Sequence, residues 1–215
     1  MIPIHVMPDT PTQAFLDALQ QQGFAGEIDT SAAQRAVYAT DNSIYERPPQ
    51  AIVSPKHVAD LQVLTRFLAE ERFRGVVVTA RGGGTGTNGQ SLTEGIVVDV
   101  SRHMNHILSI DVAKRQVRVQ AGVVKDQLNR ALKPHGLFFA PELSTSNRAT
   151  IGGMVNTDAS GQGSCTYGKT RDHVLALKTV LWGGEVLESQ ALSANMQQRF
   201  HMLHELVTEH QEAIQ

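Results

Sequence analysis

What this sequence lacks narrows it first. It holds one cysteine, Cys165, which excludes an internal disulfide framework and fits a reducing compartment. It has no basic block: 19 Lys and Arg against 21 Asp and Glu leave a net charge of −2 spread along the chain, which argues against nucleic acid as a partner. Long apolar runs are missing too. Stretches such as residues 76–78 and 96–98 are strand-sized and far short of a bilayer span. Residues 1–10 carry no cationic stretch followed by an apolar core and do not read as a signal peptide, so the expectation is a soluble, cytoplasmic protein. There are no internal repeats and no low-complexity tracts. What is present is 215 residues at 41% apolar, enough for one sizeable core that can be shared between two lobes.

The first half reads as alternating helices and strands. Thr10 is placed to cap a helix, with Pro11 in its first turn, Gln13 completing a capping box and Gly23 ending it. Phe15, Leu16 and Leu19 give that helix an apolar stripe. A second helix is expected near residues 31–38. Residues 51–53 read as a buried strand, followed by Ser54 as cap, Pro55 in the first turn, and Val58, Leu61, Leu64, Phe67 and Leu68 at helical spacing. With a strand at 76–79 this makes a strand–helix–strand unit whose strands should be parallel with a right-handed crossover.

The second half changes character. Residues 96–100, 107–111 and 116–120 read as strands, the last with Val117 and Val119 inward and Arg118 and Gln120 outward. A helix at 124–132 closes at Gly136, and a brief strand at 138–140 precedes a long loop of small polar residues. Strands at 174–182 and 185–187 flank Gly183-Gly184, a two-residue hairpin signal, with Trp182 as a packing residue. From Met196 the apolar residues Phe200, Leu203, Val207 and Ile214 recur at helical spacing to Gln215, with no cap or stop, as in a chain cut within or just after a helix.

Three glycine-bearing clusters carry the chemical signal. Gly84, Gly86 and Gly89 fit the GxGxxG dinucleotide fingerprint directly after a strand. A Rossmann unit needs a helix next, and only residues 90–95 (QSLTEG) separate Gly89 from the following strand. The Rossmann reading fails. The loop RGGGTGTNG itself, residues 81–89, still has a physical meaning, because glycines allow successive N–H groups to converge on an anion. A mere surface turn would not need five glycines in nine residues, whose ordering costs entropy. The second cluster, residues 163–170 (GSCTYGKT), satisfies the GxxxxGK[ST] phosphate loop but lacks an apolar strand before it and a helix after it, so no ATPase is expected. The third, TIGG at 150–153 with Asn156, Ser160 and Gly161, is weak alone.

Combination and order decide more than any one motif. RGGGTGTNG, IVVDVSRHMNHI (96–107), the Ala121-Gly122 segment, PELSTS (141–146), TIGGMVNTDASG (150–161) and YGKTRDHVLALKTVLWGG (167–184) together resemble the FAD-binding domain of the p-cresol methylhydroxylase/vanillyl-alcohol oxidase superfamily. The resemblance runs from about residue 48 to 187 and is nearest to the branch oxidising D-2-hydroxy acids such as D-lactate or D-2-hydroxyglutarate, including large bacterial flavoproteins with an iron–sulfur module.

The resemblance implies an α+β fold of two lobes, a small parallel βαβ lobe (about 46–100) and a mixed or antiparallel lobe with helices (about 101–190). A helical segment (1–45) would precede this FAD-binding domain (46–190), and a helix (191–215) would lead to an absent C-terminal substrate domain. It implies that Arg81, Gly82, Gly83, Gly84, Thr85, Gly86, Thr87, Asn88 and Gly89 hold the FAD pyrophosphate. Pro141, Leu143, Ser144 and Thr145 would line the flavin side. Gly152, Gly153, Asn156, Ser160 and Gly161 would pack on the ribityl chain and diphosphate, with Tyr167, Gly168 and Val174 finishing the site. Thr85 stands where covalently linked relatives place histidine, so non-covalent FAD is implied; Thr166 replaces an arginine of many relatives.

The implied activity is hydride transfer from a D-2-hydroxy acid, with the catalytic groups and electron acceptor outside these residues. An iron–sulfur cluster would belong to the full-length protein and not to this chain. An alcohol or aldonolactone oxidase of the same superfamily, or a non-catalytic nucleotide-binding module, are the alternatives. His103 with His106, and His201 with His204 and Glu205, read as polar surface groups rather than a metal site, and Cys165 as a loop residue rather than a nucleophile.

Overall fold

The first helix, α1 (Thr10–Gln21), begins under a carboxylate one residue earlier than the expected cap. Asp9 is held by the Gln50 side chain and accepts the Thr12 N–H at 2.9 Å, an ionised acceptor where the Thr10 hydroxyl was expected. Gln13 bonds Asp17 instead of closing a box, and Gly23 ends the helix at φ +85° as expected. Phe15, Leu16 and Leu19 are buried. The computed structural model describes residues 8–190 and 194–210; the readings made for residues 1–7, Ile214 and Gln215 lie outside the described residues.

α1 packs on a four-stranded sheet together with α3 (Val58–Leu68). The sheet order is β1 (Glu27–Asp29), β2 (Ala51–Ser54), β4 (Ile96–Asp99), β3 (Val78–Arg81). β1 is antiparallel to β2 and has no counterpart in the sequence reading; β2 and β3 both run parallel to β4. The expected parallel pair is therefore split by β4, whose four residues are all buried, as are those of β2. Ser54 does not cap α3, because it stays in β2 opposite Glu27. The buried Asp60 carboxylate organises that helix start, accepting the N–H groups of Lys56 (2.7 Å), His57 (3.0 Å) and Ala25 (2.8 Å). The short α2 (Ala32–Tyr38) starts under Ser31.

The second core gathers Val123, Leu128 and Leu132 with Ile107, Ile110, Val117, Val119, Phe139 and Ile151. Its elements are the antiparallel pair β5 (Ile107–Asp111) and β6 (Gln116–Val119) and helix α4 (Lys125–Leu132). The brief strand expected at 138–140 does not form. Asn129 of α4 takes its place as partner, accepting the Phe139 N–H at 2.7 Å. The expected loop after it contains α5 (Ile151–Asn156), capped by Thr150, then α6 (Ser164–Tyr167) and a 3-10 turn at Thr170–His173. TIGG is thus a helix start.

The last hairpin is shorter than expected: β7 (Lys178–Val180) pairs antiparallel with β8 (Val186–Glu188). Its tip spans Trp182, Gly183 and Gly184, three residues rather than two, with the Leu181 N–H on the Glu185 carbonyl at 2.8 Å. Trp182 is 66% exposed and does not pack as expected. The tip returns to the first lobe, where Gln62 of α3 donates to the Gly184 carbonyl at 2.9 Å and Gly183 donates to Thr65. Helix α7 (Ala194–Glu209) follows, with Phe200, Leu203 and Val207 about half exposed.

Candidate functional site

Open parallel sheets bind ligands at the carboxyl ends of their strands. Here β3 ends at Arg81 and β4 at Asp99, side by side, and a cleft of about 490 Å³ opens beyond them. Its first-lobe wall is Gln34, Val37 and Tyr38 of α2, Arg81–Gly83, Asp99 and Ser101. Its second-lobe wall is Asn105, Gly122, Val124, Gln127, Asn147, Arg148 and Thr150.

Asp99 is buried and fully engaged. One oxygen accepts the Tyr38 hydroxyl at 2.5 Å; the other accepts the Ser101 N–H at 2.7 Å and hydroxyl at 2.6 Å. Burial, then the Asp99 hydrogen bond and charge, push the Tyr38 phenol well above its ordinary range. Arg81 stacks over the Tyr38 ring at 5.2 Å and donates to the carbonyls of Thr40 (2.8 Å) and Tyr38 (3.4 Å). Its charge is positioned by a ring and two carbonyls, with no hydrogen-bonded carboxylate among the described residues.

Hydrogen bonds tie the loop after Arg81 to the first lobe. Asn42 donates to the Gly84 carbonyl at 3.1 Å, and Ser91 donates to Asp41 at 2.9 Å. Burial works to raise the Asp41 carboxyl and is outweighed by the bonds from Ser43 and Ser91 and by the Arg81 charge, which leave it below the usual range. The backbone N–H groups of Gly82, Gly83, Gly84, Thr85, Gly86 and Thr87 have no acceptor among the described residues, while Asn88 donates to Gln90. Six successive free donors beside Arg81 are a donor set suited to an anion, and a diphosphate fits it.

Two of these glycines answer to the protein as well. A Cβ on Gly82 would overlap the Thr150 hydroxyl, and one on Gly83 would overlap the Arg148 carbonyl. Part of the glycine density is therefore close packing between lobes, a cause that composition alone does not separate from anion binding.

Of the expected site residues, the cleft gathers Arg81, Gly82 and Gly83. Gly84 has φ +60°, and Thr85, Gly86, Thr87, Asn88 and Gly89 continue the loop. Pro141, Leu143, Ser144, Thr145, Asn156, Ser160, Gly161, Tyr167, Gly168 and Val174 do not line it. Pro141 is buried and Leu143 half-buried; the Thr145 carbonyl accepts the Arg148 and Ala149 N–H groups. Gly152 donates to the Ala121 carbonyl (2.8 Å) and Gly153 to the Thr150 hydroxyl (3.3 Å), so the first turn of α5 has spent those donors on protein. Gly161 is bonded to Ser164, and the Tyr167 ring meets Phe138 edge-on at 5.8 Å. Sequence reasoning missed Tyr38, Asp99, Asn105, Gln127 and Arg148. Asp99 left a signal, a carboxylate closing the buried run IVVD; Tyr38 left none.

The phosphate-loop lookalike has the wrong surroundings. Helix α5 and a turn precede it, a four-residue helix lies inside it, and the Lys169 N–H is taken by Asp172 at 2.7 Å. Among the described residues no helix is long and apolar enough to cross a membrane. His103 lies against Glu27 at 2.9 Å, His106 against Gln120 at 3.0 Å, and His201 pairs with Glu205 at 3.3 Å.

Residues 49–190 match the family model described as FAD binding domain. D-2-hydroxyglutarate dehydrogenase of Pseudomonas putida is 67% identical over 184 residues, covering 86% of this chain and 18% of that protein. The Escherichia coli enzyme of the same name is 58% identical over 182 residues, covering 85% and 18%. The chain thus spans under a fifth of the length of these relatives. A solved structure of alkyldihydroxyacetonephosphate synthase superposes with a TM-score of 0.74 at 23% identity, over 89% of this chain and 40% of the other, a likeness of fold. That likeness agrees with the two-lobed α+β architecture expected from the sequence.

Proposed function

The chain belongs to the FAD binding domain family, and from that premise we propose that it is the non-covalent FAD-holding part of a dehydrogenase oxidising a D-2-hydroxy acid such as D-2-hydroxyglutarate or D-lactate. The observation that carries this reading is the run of six unpaired N–H groups at Gly82–Thr87 beside Arg81. Those donors would hold the diphosphate, with Asn88 and Gly89 closing the loop. Pro141, Leu143, Ser144 and Thr145 would flank the flavin. Gly152, Gly153, Asn156, Ser160, Gly161, Tyr167, Gly168 and Val174 would support it through the backbone they order rather than through the spent donors of α5.

When bound, FAD supplies a hydride acceptor for the carbon bearing the substrate hydroxyl. The chain's own residues fix the anionic middle of the cofactor and leave the base and the carboxylate-gripping cation to other parts of a longer protein. No catalytic residue is assigned within the 215 residues. Any iron–sulfur cluster would draw its thiolates from elsewhere, because Cys165 is one thiol where such clusters take four. A substrate domain following the FAD-binding domain and a cytoplasmic setting belong to the same reading; the free Cys165 thiol supports the latter.

The visible spectrum of the purified protein, followed by acid precipitation, tests the cofactor. Thr85 in place of a linking histidine leads to a chromophore released into the supernatant, and a yellow pellet would count against it. A panel of D-2-hydroxy acids, alcohols and aldonolactones, given to the full-length protein with a dye acceptor, tests the substrate class. The 215-residue chain alone, loaded with FAD, should turn over none of them.

A further inference from the structure

The geometry points to Arg148 as a second cation on the diphosphate of the bound nucleotide, gripping it from the second lobe opposite the loop at Gly82–Thr87. This rests on the FAD reading above and goes beyond it by naming a residue outside every recognised motif of the chain. Arg148 lines the same cleft as Arg81, Gly82 and Gly83. Its backbone is fixed at both ends: its N–H donates to Thr145 at 2.9 Å, and its carbonyl sits where a Cβ on Gly83 would be. Its guanidinium has no hydrogen-bond or ion-pair partner among the described residues.

The one carboxylate in the lining cannot serve it, since Asp99 is committed to Tyr38 and Ser101. The exposed Arg148 thus shares the cleft with a second cation, Arg81, and with Gly82 and Gly83, the first two residues of the unpaired N–H run, so positive ends gather around one cleft. An anion with two charges relieves them together. A planar fork of donors suits phosphate oxygens two at a time, and the rest of the cleft supplies single N–H groups to the same oxygens. The cofactor would then tie the lobes, with the loop after β3 on one side and the segment before α5 on the other.

The test uses the 215-residue chain with wild-type, R148Q and R148K forms, titrated with FAD, ADP and inorganic pyrophosphate by calorimetry. Because the Arg148 side chain has no protein partner, the thermal midpoint of R148Q without nucleotide should match wild type. R148Q should weaken FAD and ADP by about tenfold to a hundredfold, the worth of a charge-assisted contact, and abolish pyrophosphate binding. R148K should recover part of the loss, keeping the charge without the fork. Wild-type FAD affinity in R148Q would overturn the assignment while leaving the FAD reading standing. Unchanged FAD and ADP binding with weaker use of hydroxy acid in the full-length protein would move Arg148 to the substrate carboxylate and overturn it as well. Failure of wild type to bind any of the three probes would overturn both readings.

Discussion

Gly83 rests against the Arg148 carbonyl with no space for a Cβ, so the glycine loop after β3 and the second lobe meet backbone to backbone. Gly83→Ala must push that carbonyl away, and overpacking of this kind costs about 1–3 kcal/mol. Gly86→Ala meets only the flexible end of Gln90 and should stay within about 0.5 kcal/mol of wild type. Urea midpoints at constant slope measure both. Equal effects at the two positions would show that the loop does not pack as described.

Gly84 carries a second kind of constraint. Its φ is +60°, and a Cβ there would come within 2.6 Å of the Arg81 guanidinium. Gly84→Val should therefore lower FAD occupancy sharply, by displacing Arg81 and the adjoining N–H donors, while far-ultraviolet dichroism shows the fold retained. Unchanged flavin content would remove this loop from the pyrophosphate role.

Tyr38 makes stability depend on alkaline pH. Its phenol titrates above the unfolded value, so the folded form keeps a proton that the unfolded chain releases near pH 10. The stabilisation is complete below that pH and falls as pH rises toward the folded value. Tyr38→Phe should lose about 1.5–3 kcal/mol at neutral pH, the range for a hydrogen bond to a charged group, and lose less on further alkalinisation than wild type. Phenolate absorbance should show one of the three tyrosines titrating only as the protein unfolds.

Lys169 belongs to a motif without its usual structure. Its N–H is committed to Asp172, and no strand leads into the loop. Calorimetry should find no specific Mg-ATP binding in wild type or in Lys169→Ala. Micromolar affinity lost in the variant would reinstate the phosphate-loop reading.

Local signals carried far. The stripe Phe15, Leu16, Leu19, the buried runs of β2 and β4, and the alternation of Val117 and Val119 were legible because burial of one face imposes a period on neighbouring residues. The glycine loop and the order of the motifs after it were legible for the same reason: each is written in consecutive residues, and their succession identified the fold and the cofactor. The true cap at Asp9 was missed because Gln50, distant in sequence, holds it; at the start of α3, Asp60 lies in the first turn and also takes the N–H of distant Ala25.

Tertiary structure decided what meets what. Hydrophobic period tells which face is covered and not by which partner, so β4 inserting between β2 and β3, β1 at the sheet edge, and the Gly184 tip on Gln62 had no sequence signature. The cleft shows this most directly. Tyr38 and Asp99 lie 61 positions apart and share one hydrogen bond, and Arg148 reaches the site from the other lobe. The sequence by itself determined the loop that can receive a diphosphate. Only the fold determined which side chains surround it, because a hydrogen bond acts over about 3 Å whatever the length of chain between its partners.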